Sequence, residues 1–164
     1  MATLIRILTI GHSTRAIEAF TRLLEAHGVQ RVIDVRTIPR SGHNPHFNRS
    51  QLSPALHRAR IHYRHMPGLG GLRPPRRDSI NTGWRNAGFR GYADYMQTPA
   101  FEESLARCIE LAEREQAVLM CAEGMPVQTA SDSITQRQAG GDLVDDLGGR
   151  VALFSAGLPR GGRP

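Results

Sequence analysis

Apolar residues along this chain change period several times, and each change marks an element. The largely apolar run from Leu4 to Ile10 is broken by Arg6 and ended by Gly11-His12-Ser13-Thr14. It predicts a buried strand feeding a turn. Ser13 or Thr14 is placed to cap the next helix by accepting from its open backbone N–H groups. Ile17, Phe20, Leu24 and His27 then recur at helical spacing, with Leu23 beside them. Glu18 sits near the positive end of that helix, and Gly28 stands where a glycine ends helices. Val32-Ile33-Asp34-Val35 predicts a second strand. Strand, helix and strand in about thirty residues make a βαβ unit with parallel strands and a right-handed crossover.

Beyond Arg36 the period fades. Pro39, Pro45, Pro54, Pro67, Pro74 and Pro75 punctuate the stretch that follows, and Gly68-Leu69-Gly70-Gly71 adds backbone freedom. A short helix near Ser50 to Ala59 and a brief strand from His62-Tyr63 are expected within a long loop region, which in a compact domain is usually functional or mobile. Order returns at Phe89. Thr98 suits a helix N-cap and Pro99 the first helical position. Phe101, Leu105, Cys108, Ile109 and Ala112 repeat at helical spacing, and Val118 to Cys121 predicts a buried strand ending at Glu123-Gly124. After Pro126 the sequence turns polar. Leu143, Val144 and Leu147 suggest one helical turn, Val151 to Phe154 one strand, and Leu158 to Pro164 a disordered end. The pattern as a whole predicts an α/β fold: a small, mainly parallel sheet with helices on both faces and a long Arg/His/Pro-rich loop region. Residues 1–126 would form the domain, and 127–164 an atypical, poorly ordered tail.

Composition narrows the class. The 164 residues fit one domain with a sizeable core. No apolar run nears the ~20 residues that span a bilayer. The first residues lack the basic start, apolar centre and small-residue site of a signal peptide. Cys108 and Cys121, the two cysteines, do not make a disulfide framework, so a cytoplasmic location away from membranes is expected. Charge says more. Residues 1–100 carry 15 Arg against 5 acids, and residues 101–164 carry 6 Arg against 10 acids. From Arg36 to Arg90 there are 11 Arg, five of the seven His and a single acid, Asp78. Lysine is absent, which a GC-rich genome explains without function, but that bias does not remove acids. Such a segment is either a solvated loop face or a positive field for phosphate-bearing partners.

In open α/β sheets ligands bind outside the carboxyl ends of the strands. Three predicted strand ends carry polar groups: His12 with Ser13, Asp34 with Arg36, and Cys121 with Glu123. Parallel strands would bring them to one edge. Backbone amides at Ser13 and Thr14 would suit an anion, Arg36 would add a two-pronged contact, and Arg40 lies just beyond. In one catalytic arrangement His12 is the acid or base, oriented by Asp34 or Glu123. In a second, less favoured, His12 and nearby arginines activate a Cys121 thiolate. Structural alternatives stand beside each: a capping Ser13, an Asp34–Arg36 ion pair, a buried Cys121, a hydrogen-bonded His12. His43 with His46 and His62 with His65 have spacing that loops could fold into a metal site, but neither Cys-x-x-Cys nor His-Glu-x-x-His occurs and Arg64 would repel a cation. No metal or other cofactor is expected. The glycines at 68–71 lack the Lys-Ser/Thr of a phosphate loop. The rival class is a nucleic-acid-binding module without catalysis, using Phe47, Tyr63, Trp84, Phe89, Tyr92 and Tyr95 among the arginines, although Phe89 and Tyr92 also suit a core. A truncated, inactive remnant is a third reading. The functional expectation is binding of an anionic ligand, a nucleotide or nucleic acid, at the strand ends, with His-based hydrolysis as its catalytic extension.

These elements resemble the domain-of-unknown-function 488 family of small bacterial proteins. The resemblance rests on Thr9-Ile10-Gly11-His12-Ser13, Asp34-Val35-Arg36 with Pro39-Arg40-Ser41, and Asn44-Pro45-x-Phe47. It continues through Tyr63-x-His65 with Leu69-Gly70-Gly71, Phe89-Arg90-Gly91-Tyr92-Ala93-Asp94-Tyr95-Met96, and Leu119-Met120-Cys121-Ala122-Glu123, covering residues 4–126. It implies an α/β fold and no particular activity. Similar members carry Cys-His-Arg shortly after the last strand; here Pro126 leads into Val127-Gln128-Thr129-Ala130-Ser131, and that motif does not follow. A changed reading frame or a divergent tail would each account for the departure.

Overall fold

A computed structural model describes residues 6–122 and two further strands, 142–144 and 150–155. Strand β1 (Arg6–Gly11) leads through helix α1 (Ile17–Ala26) to β2 (Arg31–Asp34). Helix α2 (Arg49–Arg58) precedes β3 (His62–His65), and helices α3 (Ala87–Tyr95) and α4 (Pro99–Arg114) precede β4 (Ala117–Cys121). Strands β5 (Asp142–Val144) and β6 (Arg150–Ser155) complete one sheet of order β3-β2-β4-β1-β6-β5. The first four strands are mutually parallel; β6 pairs antiparallel with β1, and β5 with β6. The sheet is mainly parallel, as the pattern implied.

The pleat sends alternate residues to two cores. Leu8, Ile10, Val32, Val118 and Met120 pack with Phe20, Leu23 and Leu24 of α1 and Leu52 and Leu56 of α2. On the other face Ile7, Ile33 and Ala117 pack with Tyr92 of α3 and with Phe101 and Cys108 of α4. Helices therefore cover both faces. The expected βαβ unit forms with parallel strands, yet β1 and β2 are not neighbours, because β4 lies between them. Ala117, Val118 and Met120 of β4 are at most 1% exposed, and a strand with apolar residues on both sides is most stable at the centre of a covered sheet.

Local chemistry explains the ends of elements. Gly28 has φ +63°, and the amides of Gly28 and Val29 return to the carbonyls of Glu25 and Leu24, closing α1 as expected. Its start differs from expectation. Ala16, not Ser13 or Thr14, occupies the N-cap, and no side chain caps the helix. The chain continues sheet pairing beyond β1, with His12 N–H on the Cys121 carbonyl (3.0 Å) and Ser13 N–H on that of Ala122 (3.2 Å). Ser13, at φ 50°, then turns the chain, so the helix begins too late for its hydroxyl to reach. Thr98 does cap α4, accepting from Phe101 N–H, with Pro99 next. Helix α3 was not expected, since Gly88 and Gly91 weaken its helical signal. Gly91 is required there: a Cβ would collide with the Arg73 carbonyl. Residues 142–144 are a strand rather than part of a helical turn, because a segment this short takes its conformation from its partner β6. The rest of the expected tail lies outside the described residues.

Helix α2 ends in the same hydrogen-bonded motif as α1, but Arg60 holds the left-handed position at φ 59°. An L-residue there costs ~1–2 kcal/mol. Arg60→Gly is expected to raise stability by about 0.5–1 kcal/mol after the added freedom of the unfolded chain is subtracted. A shift of the urea midpoint upward, without a change in slope, is the measurement that checks it.

Candidate functional site

Strands β2, β4 and β1 end side by side, which brings Asp34, Cys121 and His12 to one edge of the sheet. The pleat then divides them. Asp34 and His12 follow Val32 and Ile10 toward α1 and α2, whereas Cys121 follows Leu119 toward the opposite face. His12 and Cys121 are joined through their backbones, and this register does not assemble a Cys121 thiolate beside the His12 ring. Burial pushes the other thiol, Cys108, up to about 12. Glu123 lies outside the described residues.

Asp34 is completely buried. Arg36 bends back onto it, with Nε donating to Oδ1 (2.9 Å) and Nη2 to Oδ2 (2.7 Å). The Arg36 amide reaches Oδ1 as well (3.2 Å), and the Tyr63 hydroxyl donates to Oδ2 (2.7 Å). Nη2 also donates to the Phe47 carbonyl (2.8 Å), and Nη1 lies 3.3 Å from His12 Nε2. A guanidinium only donates, so His12 Nε2 accepts, and its proton sits on Nδ1, which donates to the Ser13 carbonyl (2.8 Å). Burial holds the imidazole below its usual range. The Arg36 charge acts the same way, against the Ser13 carbonyl, which favours the charged ring. The ring is 2% exposed and stacks on Phe47 with centroids 4.3 Å apart. Burial first, then the bond to Asp34, raises the Tyr63 hydroxyl far above its ordinary value.

Arg36 is thus an internal partner of Asp34 rather than an open anion clamp. Its Phe47 contact anchors the 3-10 turn Pro45–Phe47 that leads into α2. The Asn48 side chain accepts from Ser41 N–H (2.6 Å) instead of capping α2, and Arg49 N–H binds the Pro39 carbonyl (3.0 Å). These bonds shape an open cleft of about 670 Å³ lined by Pro39, Arg40, Asn48, Arg49, Ser50, Ser53 and Pro54. Arg40 is on that wall. Arg49 and the two serines are cleft residues that the sequence reading passed over; Asn48 preceding a short helix was the available signal. The Ser13 amide, by contrast, is taken by the Ala122 carbonyl.

Three of the four paired histidines have partners other than one another. His46 Nε2 donates to the Arg15 carbonyl (2.7 Å), His65 Nε2 to that of Arg36 (2.8 Å), and His62 Nδ1 meets Glu115 (3.0 Å). Among the described residues no three metal-ligating side chains gather, and no helix is long and apolar enough to cross a membrane.

An open, mainly parallel sheet with helices on both faces and a buried ion pair at its carboxyl edge defines a small α/β protein. The chain belongs to the family described as Domain of unknown function DUF488, whose family model matches residues 16–134. No curated protein and no solved structure matches it.

Asp34→Asn leaves a buried guanidinium short of a counter-charge and is expected to cost about 3–5 kcal/mol. Tyr63→Phe removes one bond to that carboxylate and should cost about 1.5–3 kcal/mol, both read from denaturant unfolding. His12 adds a pH dependence. The unfolded imidazole takes up a proton near 6.5 while the folded one resists. Stability is therefore full above that pH, declines as pH falls below it, and levels off beneath the folded value. His12→Gln should be less stable at pH 7.5 yet lose less between pH 7.5 and 5 than the parent.

Proposed function

We propose that the protein binds a phosphate-bearing ligand in the cleft between Arg40 and Arg49, by charge and hydrogen bonding and without proton transfer. One observation carries this reading: the cleft walls hold two arginines, an asparagine and two serine hydroxyls, and no carboxylate. No carboxylate pairs with Arg40 or Arg49 among the described residues. Helix α2 leads back into the parallel strand β3, so its first turn faces the edge where strands end, and the positive end of its dipole adds to the field there. The volume falls within the range of small-ligand pockets, ~300–1,000 Å³. An acid–base role for His12 has weaker support, since both ring nitrogens are engaged inside the protein. The buried network then acts by position: it holds the turn that carries Arg49 against the loop that carries Arg40.

Calorimetric titration with inorganic pyrophosphate tests the proposal. Binding should weaken about tenfold for Arg40→Ala or Arg49→Ala, and fall further as NaCl is raised. Pyrophosphate affinity unchanged in the double variant, or undetectable in the parent, overturns it.

A further inference from the structure

We propose that Trp84 and Phe89 form a stacking platform for the bases of single-stranded nucleic acid, with the adjoining, exposed Arg85 for the phosphates and the exposed Arg77 of the same loop region adding to the positive charge. This surface is separate from the cleft above and does not depend on it.

The structure sorts the aromatics of the basic segment. Phe47 and Tyr92 are core residues. The hydroxyls of Tyr63 and Tyr95 bind Asp34 and the Gly68 carbonyl, and the Arg73 guanidinium covers the Tyr95 ring at 3.9 Å. Trp84 and Phe89 belong to neither core cluster. They are half-buried and lean on each other, with centroids 5.9 Å apart and planes at 51°. Among the described residues nothing accepts the Trp84 indole N–H.

The backbone beneath this pair is tied down from both sides. Trp84 N–H closes a turn onto the Asn81 carbonyl (3.2 Å). The Trp84 carbonyl receives Nε (3.2 Å) and Nη2 (3.0 Å) of Arg90 on α3. Asn81 in turn donates to the buried Asp94 of α3 (2.7 Å), whose carboxyl is held below its usual range by bonds from Ser79 and Asn81. With its backbone held in this way and its ring resting on Phe89, half-buried and outside both cores, Trp84 loses less freedom than a mobile loop residue when a planar partner stacks on it.

Charge decides the partner. Asp78 pairs with Arg76 (2.9 Å), and no carboxylate among the described residues pairs with the exposed Arg77 or Arg85. An aromatic pair next to an exposed guanidinium that no described carboxylate pairs with fits a polymer that alternates rings and phosphates. Only a single strand offers its base faces, because a duplex stacks them inside.

Trp84 is the only tryptophan, so its emission reports the site. Titration of the full chain with a single-stranded oligothymidine of about ten nucleotides should quench that emission, and the affinity should fall steeply as salt is raised. With a fluorescein-labelled oligothymidine read by anisotropy, Phe89→Ala and Trp84→Leu should each weaken binding about fivefold or more. Trp84→Leu keeps an apolar cover without a stacking face, and Trp84→Tyr should restore most of the affinity, which separates stacking from packing. Absence of quenching, equal affinity in Trp84→Leu, or equal affinity for a duplex of the same length overturns the proposal. Equal quenching by poly-glutamate overturns it too, in favour of an acidic peptide.

Discussion

A carboxylate with no access to water must find charge and hydrogen bonds inside the protein, and Asp34 sets that condition for the whole carboxyl edge of the sheet. Arg36 supplies the charge, Tyr63 and the Arg36 amide complete the oxygens, and the guanidinium then needs acceptors of its own. It finds them in the Phe47 carbonyl and His12 Nε2. One buried acid therefore joins the ends of β1 and β2, strand β3 and the turn before α2. The ring of His12 is held neutral by the same burial, which lets it accept from a cation at close range.

This arrangement sets Arg36 apart from the exposed arginines. Arg36 is neutralised within the protein, whereas Arg40, Arg49, Arg77 and Arg85 remain outside with no carboxylate facing them among the described residues. Positive charge with no carboxylate partner among the described residues is thus found on the loops and at the start of α2 rather than at the end of β2. Asp94 plays a comparable structural part on the other side, gathering Arg76, Ser79 and Asn81 onto α3. Tyr92 and Tyr95 fasten the preceding turn through the Leu69 and Gly68 carbonyls. A glycine- and proline-rich stretch without periodicity is in this way tied to a helix by side chains.

Much of the fold was legible in the chain. The runs that become β1, β2 and β4 read as strands, over Arg6–Gly11, Arg31–Asp34 and Ala117–Cys121 among the described residues, and the stripes of α1 and α4, with Gly28, Thr98 and Pro99 at their ends, read correctly as helices. Local backbone geometry imposes those periods, so neighbouring residues suffice to reveal them. That His12, Asp34 and Arg36 would gather at one edge was also legible, because parallel strands end on the same side.

What neighbours in sequence cannot encode is which distant segment supplies a partner. The position of β4 between β1 and β2 decided that Cys121 and His12 leave opposite faces, and the burial of Asp34 decided that Arg36 is an ion-pair partner rather than a ligand clamp. Helix α3 escaped notice because two glycines weaken its signal, and one of them, Gly91, is needed for close packing against Arg73, a contact made only when the chain has folded. The sequence by itself determined the elements and the chemistry at their ends. Tertiary structure decided which of those polar groups are satisfied inside and which are left facing water, because desolvation depends on everything that packs around a group and not on the residue alone.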